Sequence, residues 1–154
     1  GGVVFVPALA GLGAPYWRAD ARGLLHGLTR GSTRAHICRA VLEGIALQIT
    51  DILDAMAADA GHPLHELRVD GGAARNNLMM QFQSDVLGVA CVRPTNLETT
   101  AMGAAYLAGL GVGFWESPEA VSAAWAMDQR FVPTNDRAPV EAKRVGWRQA
   151  VAKA

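Results

Sequence analysis

Lysine is nearly missing from this sequence. Lys143 and Lys153 are the only two among 154 residues, and no Gly-Lys pair occurs. A P-loop needs its lysine directly after the loop glycine, so that phosphate site is excluded. Charge of either sign is not in excess: Lys plus Arg number 14 and Asp plus Glu number 14. A neutral balance of this kind argues against nucleic acid or a membrane surface as partner. No apolar run approaches membrane-spanning length, and Gly1-Gly2-Val3-Val4 has no basic region before its apolar stretch. The two cysteines, Cys38 and Cys91, each sit in an apolar run. They read as buried free thiols of a cytoplasmic protein. The four histidines (His26, His36, His62 and His65) show no metal-ligand spacing with them. No Ser-His-Asp arrangement can be argued from spacing.

What is present is a chain that is 51% hydrophobic and long enough to bury one substantial core. It opens without a methionine, next to a strand, and is expected to be a fragment of a longer protein. Val3–Val6 reads as a strand ended by Pro7, and a second strand is expected across Leu24–Leu28. Ser32 or Thr33 caps a long helix with Ile37, Val41, Ile45, Ile49, Ile52, Leu53 and Met56 along one side, ended by Gly61 and Pro63. Gly44 is a place where it can bend. Asp51, Asp54 and Asp59 fall on its polar side and read as a solvated face. Further on come a short strand at Ala90–Arg93, a Gly/Ala-rich helix from Thr99, a helix start at Ser117-Pro118-Glu119, a short strand at Phe131-Val132 and a helix over Ala142–Lys153. The small face of the Thr99 helix (Ala101, Ala104, Ala105 and Ala108) is expected to pack closely on a sheet or helix. Lys143, Arg144 and Arg148 read as the wet face of the last helix. Tyr16 and Trp17 are expected to anchor their long loop. The order of elements indicates an α/β domain, antiparallel at its opening and parallel later.

One stretch carries a candidate site. In ELRVDGGAARNNLMMQFQSDVLG, Leu67 and Val69 alternate as in a strand, whereas Leu78, Met79, Phe82 and Val86 recur at helical spacing up to Gly88. Between them stand Gly71 and Gly72. A helix start presents unpaired N–H groups and a positive dipole end, and two glycines let a phosphate or ribose reach the main chain. Asn76 and Asn77 could hydrogen-bond a base or ribose. A plain tight turn between strand and helix accounts for the pair equally well. By contrast, GLGVGF at Gly109–Phe114 closes a helix instead of opening one, so it reads as a helix end and not as a dinucleotide fingerprint.

RVDGGAARNNLMMQFQSDVLGVACVRPTNLETTAMGAAYLAGLGVGFW resembles the carboxy-terminal domain of the FGGY carbohydrate kinase family. Upstream, GLLHGLTRGSTRAHICRAVLE is similar to that family's second signature at Gly23, Leu25, Gly27, Leu28, His36, Ile37, Ala40, Val41, Leu42 and Glu43. FVPALAGLGAPYW looks like the glycerol kinase branch of the family. The likeness runs from about Val3 to Trp147. It implies a ribonuclease H-like (actin-like ATPase) fold, a mixed sheet flanked by helices, here lacking its first strands. Residues 1–154 would be one carboxy-terminal, nucleotide-binding domain.

The resemblance also implies transfer of the γ-phosphoryl group of ATP to glycerol with Mg²⁺, in an enzyme expected to be a homo-oligomer. Gly71 and Gly72 would lie near nucleotide phosphates and ribose, and Asn76 near adenine. No catalytic or metal-ligating residue is assigned within this chain. The family's proton-accepting aspartate and polyol-binding residues belong upstream, in the amino-terminal domain that would be this chain's partner and hold glycerol. This chain alone is expected to be inactive. The alternatives are a kinase for another polyol or sugar, or a non-catalytic actin-like nucleotide-binding module.

Overall fold

The computed structural model describes residues 1–134 and 136–154. Two small sheets lie on either side of one long helix. Strands β1 (Val4–Val6) and β2 (Leu24–His26) pair antiparallel, with Phe5 opposite Leu25. The second sheet is mixed. In it β3 (Glu66–Arg68) runs parallel to β4 (Ala90–Pro94), and β4 runs antiparallel to β5 (Met127–Phe131). The order is β3-β4-β5, so among the described residues one edge of β3 has no strand beside it.

Helix α1 (Arg34–Ala60) separates the sheets. Thr33 caps it: its Oγ1 accepts from the His36 N–H, and the His36 ring accepts from the Thr33 N–H. This reciprocal pairing satisfies two donors at the helix start. Gly61, at φ 71°, ends it in the left-handed region that glycine tolerates.

The helix does not break at Gly44. A Cβ there would stand 2.1 Å from the carbonyl oxygen of Phe5, so glycine is what lets α1 lie directly on β1. The buried residues of α1 are Ala40, Glu43, Gly44, Ala46, Leu47 and Thr50, not the isoleucine stripe that periodicity suggests. The reason is that two cores share the helix. Ala46 and Leu47 join Val6, Phe82, Val86, Trp147 and Val151 on one side. Leu42, Ile45 and Ile49 pack against Met79, Met80, Cys91 and Phe131 on the other.

Helix α2 (Asn77–Leu87) follows the GG turn, and α3 (Thr99–Gly111), α4 (Pro118–Ala123) and α5 (Ala138–Val151) complete the chain. α3 departs from expectation. Its alanine face is exposed, and Leu107 is 74% and Phe114 76% exposed. Its C-terminal end is ordered by Trp115, which stacks edge-on against Tyr106 and covers Gly109 so closely that a Cβ there would lie 2.6 Å from the indole. α5 is also less wet than its composition suggests. Lys143 reaches inward to the buried Glu43, which Arg39 holds from the other side, and Arg144 pairs with Asp54. Cys91 is buried but Cys38 is exposed, because Cys38 falls on the outer side of α1.

Candidate nucleotide-binding turn

The parallel ladder of β3 and β4 continues to Val69, whose N–H donates to the Val92 carbonyl at 3.0 Å. The chain then turns sharply. Gly71 has φ 77° and ψ 178°, a conformation open essentially to glycine alone, and its N–H donates to the Leu97 carbonyl at 2.9 Å. Gly72–Arg75 form one short 3₁₀ turn, and α2 starts immediately after. The strand–GG–helix reading of this stretch therefore describes its backbone, with a 3₁₀ turn inserted before the helix proper.

Beside the turn opens a cleft of about 420 Å³. Gly72, Ala73, Arg75 and Asn76 form one wall, Leu42 and Ile45 of α1 the other, and Met79 part of the floor. Of the four residues singled out from sequence, Gly72 and Asn76 line this cleft, whereas Gly71 stands behind it as the bend. The two glycines differ in kind. Gly71 is required by its own dihedral angles. Gly72 has no positive φ, and a Cβ on it would meet nothing within 4 Å. Nothing inside the chain requires a glycine at 72, and the absent side chain leaves its backbone open to the cleft.

Asn76 has a structural task as well. Its Oδ1 accepts from the Met79 N–H at 3.0 Å, capping α2. With that oxygen engaged, the side-chain amide nitrogen is the polar group of Asn76 not used by the cap. Asn77 does not share the cleft: its Oδ1 accepts from Arg93 Nη1 at 2.8 Å.

Arg93 was not legible as anything but a strand residue, yet it sits directly under the turn. It is 8% exposed and donates to Asp128, to the Ala74 carbonyl, to Asn77 and to Gln129. An arginine preceding the proline of an otherwise apolar strand is the one signal that could have drawn attention to it. The long loop before β2 is anchored by Leu12 and Ala21 in the core, by Arg18, which donates to the Val151 carbonyl at 3.2 Å, and by Tyr16. The Tyr16 hydroxyl donates to Asp51 at 2.6 Å, and Trp147 Nε1 donates to the same carboxylate oxygen at 2.5 Å. Asp51 is therefore a joint between loop, α1 and α5, not part of a solvated face. Burial and the adjacent carboxylate both push the Tyr16 hydroxyl's pKa up, so it stays protonated. Trp17 is 79% exposed and does not anchor anything.

Among the described residues, no three or more His, Cys, Asp or Glu side chains cluster to hold a metal ion, and no helix is long and apolar enough to cross a membrane.

The family described as "FGGY family of carbohydrate kinases, C-terminal domain" matches residues 1–112. A glycerol kinase of Janthinobacterium sp. (strain Marseille) is 58% identical over 154 residues, which is 100% of this chain and 31% of that protein. The chain therefore spans about a third of the length of the curated relatives it matches. Among solved structures, a glycerol kinase of Plasmodium falciparum with ADP superposes with a TM-score of 0.85 at 42% identity, over 99% of this chain and 30% of that one. A xylulose kinase of Rhodospirillum rubrum gives 0.74 at 28% identity, over 99% and 30% respectively.

Proposed function

Since the chain belongs to the FGGY family of carbohydrate kinases, we propose that residues 1–154 are the nucleotide-binding, carboxy-terminal domain of a cytoplasmic glycerol kinase. Its fold is the mixed α/β, actin-like ATPase fold of those kinases. In this reading the complete polypeptide transfers the γ-phosphoryl group of ATP to glycerol, and this chain supplies one wall of the ATP cleft. The observation that carries the reading is the cleft at the GG turn, with an exposed glycine that its own chain does not require and a capping asparagine with its amide nitrogen to spare.

Phosphoryl transfer depends chiefly on positioning and on neutralising charge. The turn's contribution is positioning. Gly72 lets phosphate or ribose approach the main chain, the start of α2 places a positive dipole end nearby, and the Asn76 amide donates to adenine. Gly71 contributes by shaping the bend that brings Gly72 forward. Mg²⁺ would neutralise phosphate charge, and its ligands, the proton-accepting carboxylate and the glycerol site belong to the remainder of the polypeptide. That remainder also accounts for two surfaces left open here. The unpaired edge of β3, beside an apolar groove lined by Leu53, Met56 and Leu64, takes the first strands of the domain. The exposed Leu107, Phe114 and alanine face of α3 meet the amino-terminal domain.

The test is to titrate the full-length polypeptide with ATP and glycerol separately and to measure turnover. The reading expects turnover with both substrates, and selective loss of ATP affinity in Gly72→Val. Absence of any turnover by the full-length protein would instead favour a non-catalytic nucleotide-binding module. Robust turnover by residues 1–154 alone would overturn the division of labour.

A further inference from the structure

The least expected group in the molecule is the buried guanidinium of Arg93. Removing such a charge from water is costly unless its donors are matched. Here they are matched by acceptors from two directions. Nε donates to Asp128 at 2.7 Å and Nη2 to Gln129 Oε1 at 3.1 Å, both on β5. Nη1 donates in the opposite sense, to the Ala74 carbonyl at 2.8 Å and to Asn77 Oδ1 at 2.8 Å. The guanidinium also lies over the Phe131 ring, 5.3 Å from its centroid. The Asp128 pair alone would satisfy a staple between neighbouring strands. The Nη1 contacts do something else, since Ala74 and Asn77 bracket Arg75 and Asn76, two residues of the cleft wall.

We propose that Arg93 is a positioning residue for the nucleotide: it fixes the GG turn and the first residue of α2 at a set height above the sheet, so that Gly72 and Asn76 meet the ligand in register. This rests on the reading of the cleft as the nucleotide site. Three properties suit arginine to the task. Its planar fork can satisfy acceptors on both elements at once, it stays charged at any relevant pH, and a buried charge-assisted bond resists rearrangement. Lysine would keep the charge, but its single nitrogen could not serve Asp128 and Gln129 on β5 and the Ala74 and Asn77 acceptors at the turn together.

The experiment uses the full-length enzyme and compares Arg93→Lys, Asn77→Ala, the double variant and Gly72→Val. For Arg93→Lys, the KM for ATP should rise about tenfold, the scale of one lost charge-assisted hydrogen bond. The KM for glycerol should stay within about twofold, because a turn displaced on one wall of the cleft does not reach the acceptor. Asn77→Ala keeps the arginine and removes one anchor. It should raise the ATP KM about threefold, and the double variant should be no worse than Arg93→Lys alone, the non-additivity of residues acting through one contact. If Arg93→Lys does not fold, Asn77→Ala carries the test by the same selectivity for ATP. Equal rises for ATP and glycerol, or full additivity in the double variant, would reduce Arg93 to a structural staple and overturn the proposal. A rise in ATP KM for Gly72→Val with none in Arg93→Lys or Asn77→Ala would remove Arg93 while leaving the nucleotide site in place. No change for Gly72→Val would remove the nucleotide site, and the role of Arg93 with it.

Discussion

Asn76 is asked to do two things with one side chain, and two substitutions separate them. Its Oδ1 caps α2 through the Met79 N–H, while in the proposed function its amide nitrogen donates to the nucleotide. Alanine abolishes both. Loss of an N-cap costs about 1 kcal/mol, which lowers the melting temperature by roughly 2–4 °C for a domain of this size. Loss of one neutral hydrogen bond costs about 0.5–1.5 kcal/mol, so the ATP dissociation constant should rise roughly two- to thirteenfold. Aspartate is the informative comparison. Its carboxylate caps a helix as well as asparagine does and is favoured beside the positive end of α2, but it has no N–H to give. Asn76→Asp should therefore melt at or above the wild-type temperature and still lose ATP affinity at least as much as Asn76→Ala. Differential scanning fluorimetry and isothermal titration of the full-length enzyme with ATP and with glycerol read the two effects independently. Wild-type ATP affinity in Asn76→Asp would refute the assignment of the amide as donor, and an unchanged melting temperature in Asn76→Ala would refute the cap.

The other expectations are simpler. Gly44→Ala should destabilise by about 1–3 kcal/mol through overpacking, because its Cβ would stand 2.1 Å from the Phe5 oxygen and backbone must move; thermal unfolding of the intact protein checks it. Gly71→Ala should harm folding as well as ATP binding, since φ 77° strains any L side chain, whereas Gly72→Val should spare the melting temperature and weaken ATP alone. Tyr16→Phe removes a hydrogen bond to a carboxylate and should cost about 1.5–3 kcal/mol, read as a lower melting temperature with protease cleavage appearing first in the loop before β2. Burial pushes the Cys91 thiol up to about 12, so at pH 8 it is almost wholly protonated in the fold. Its contribution to stability is complete below the ordinary thiol pKa and lost as pH climbs toward 12, and peptide mapping after alkylation at pH 8 should find Cys91 modified only in unfolded protein.

Local signals were read where one element decides them alone. Thr33 and Gly61 bound α1, Gly88 ends α2, and the pair Gly71-Gly72 marks the turn, because capping and positive φ are properties of a few adjacent residues. Gly72 and Asn76 were legible as a candidate site for the same reason. What escaped depends on neighbours distant in sequence. The buried face of α1 differs from its most regular apolar stripe because a helix covered on two sides has no single hydrophobic direction. β5 was expected at Phe131-Val132 but spans Met127–Phe131, since Asp128, Gln129 and Arg130 carry no apolar alternation and gain their strand from pairing with β4. Asp51 and Arg93 looked ordinary because their partners lie 35 or more residues away in one case and on three other segments in the other. The alanine face of α3, expected to be packed, is open because nothing within these residues covers it.

The position of α1 has a mechanical consequence. A helix that fills both cores cannot lean toward one without opening a gap in the other, and gaps in close-packed interiors are costly. Leu42 and Ile45 belong at once to the cleft wall and to that helix, while Gly44, between them, rests on β1. A displacement of this wall would therefore disturb the packing of both cores and the contact of Gly44 with β1 at once, so the wall is braced from two sides.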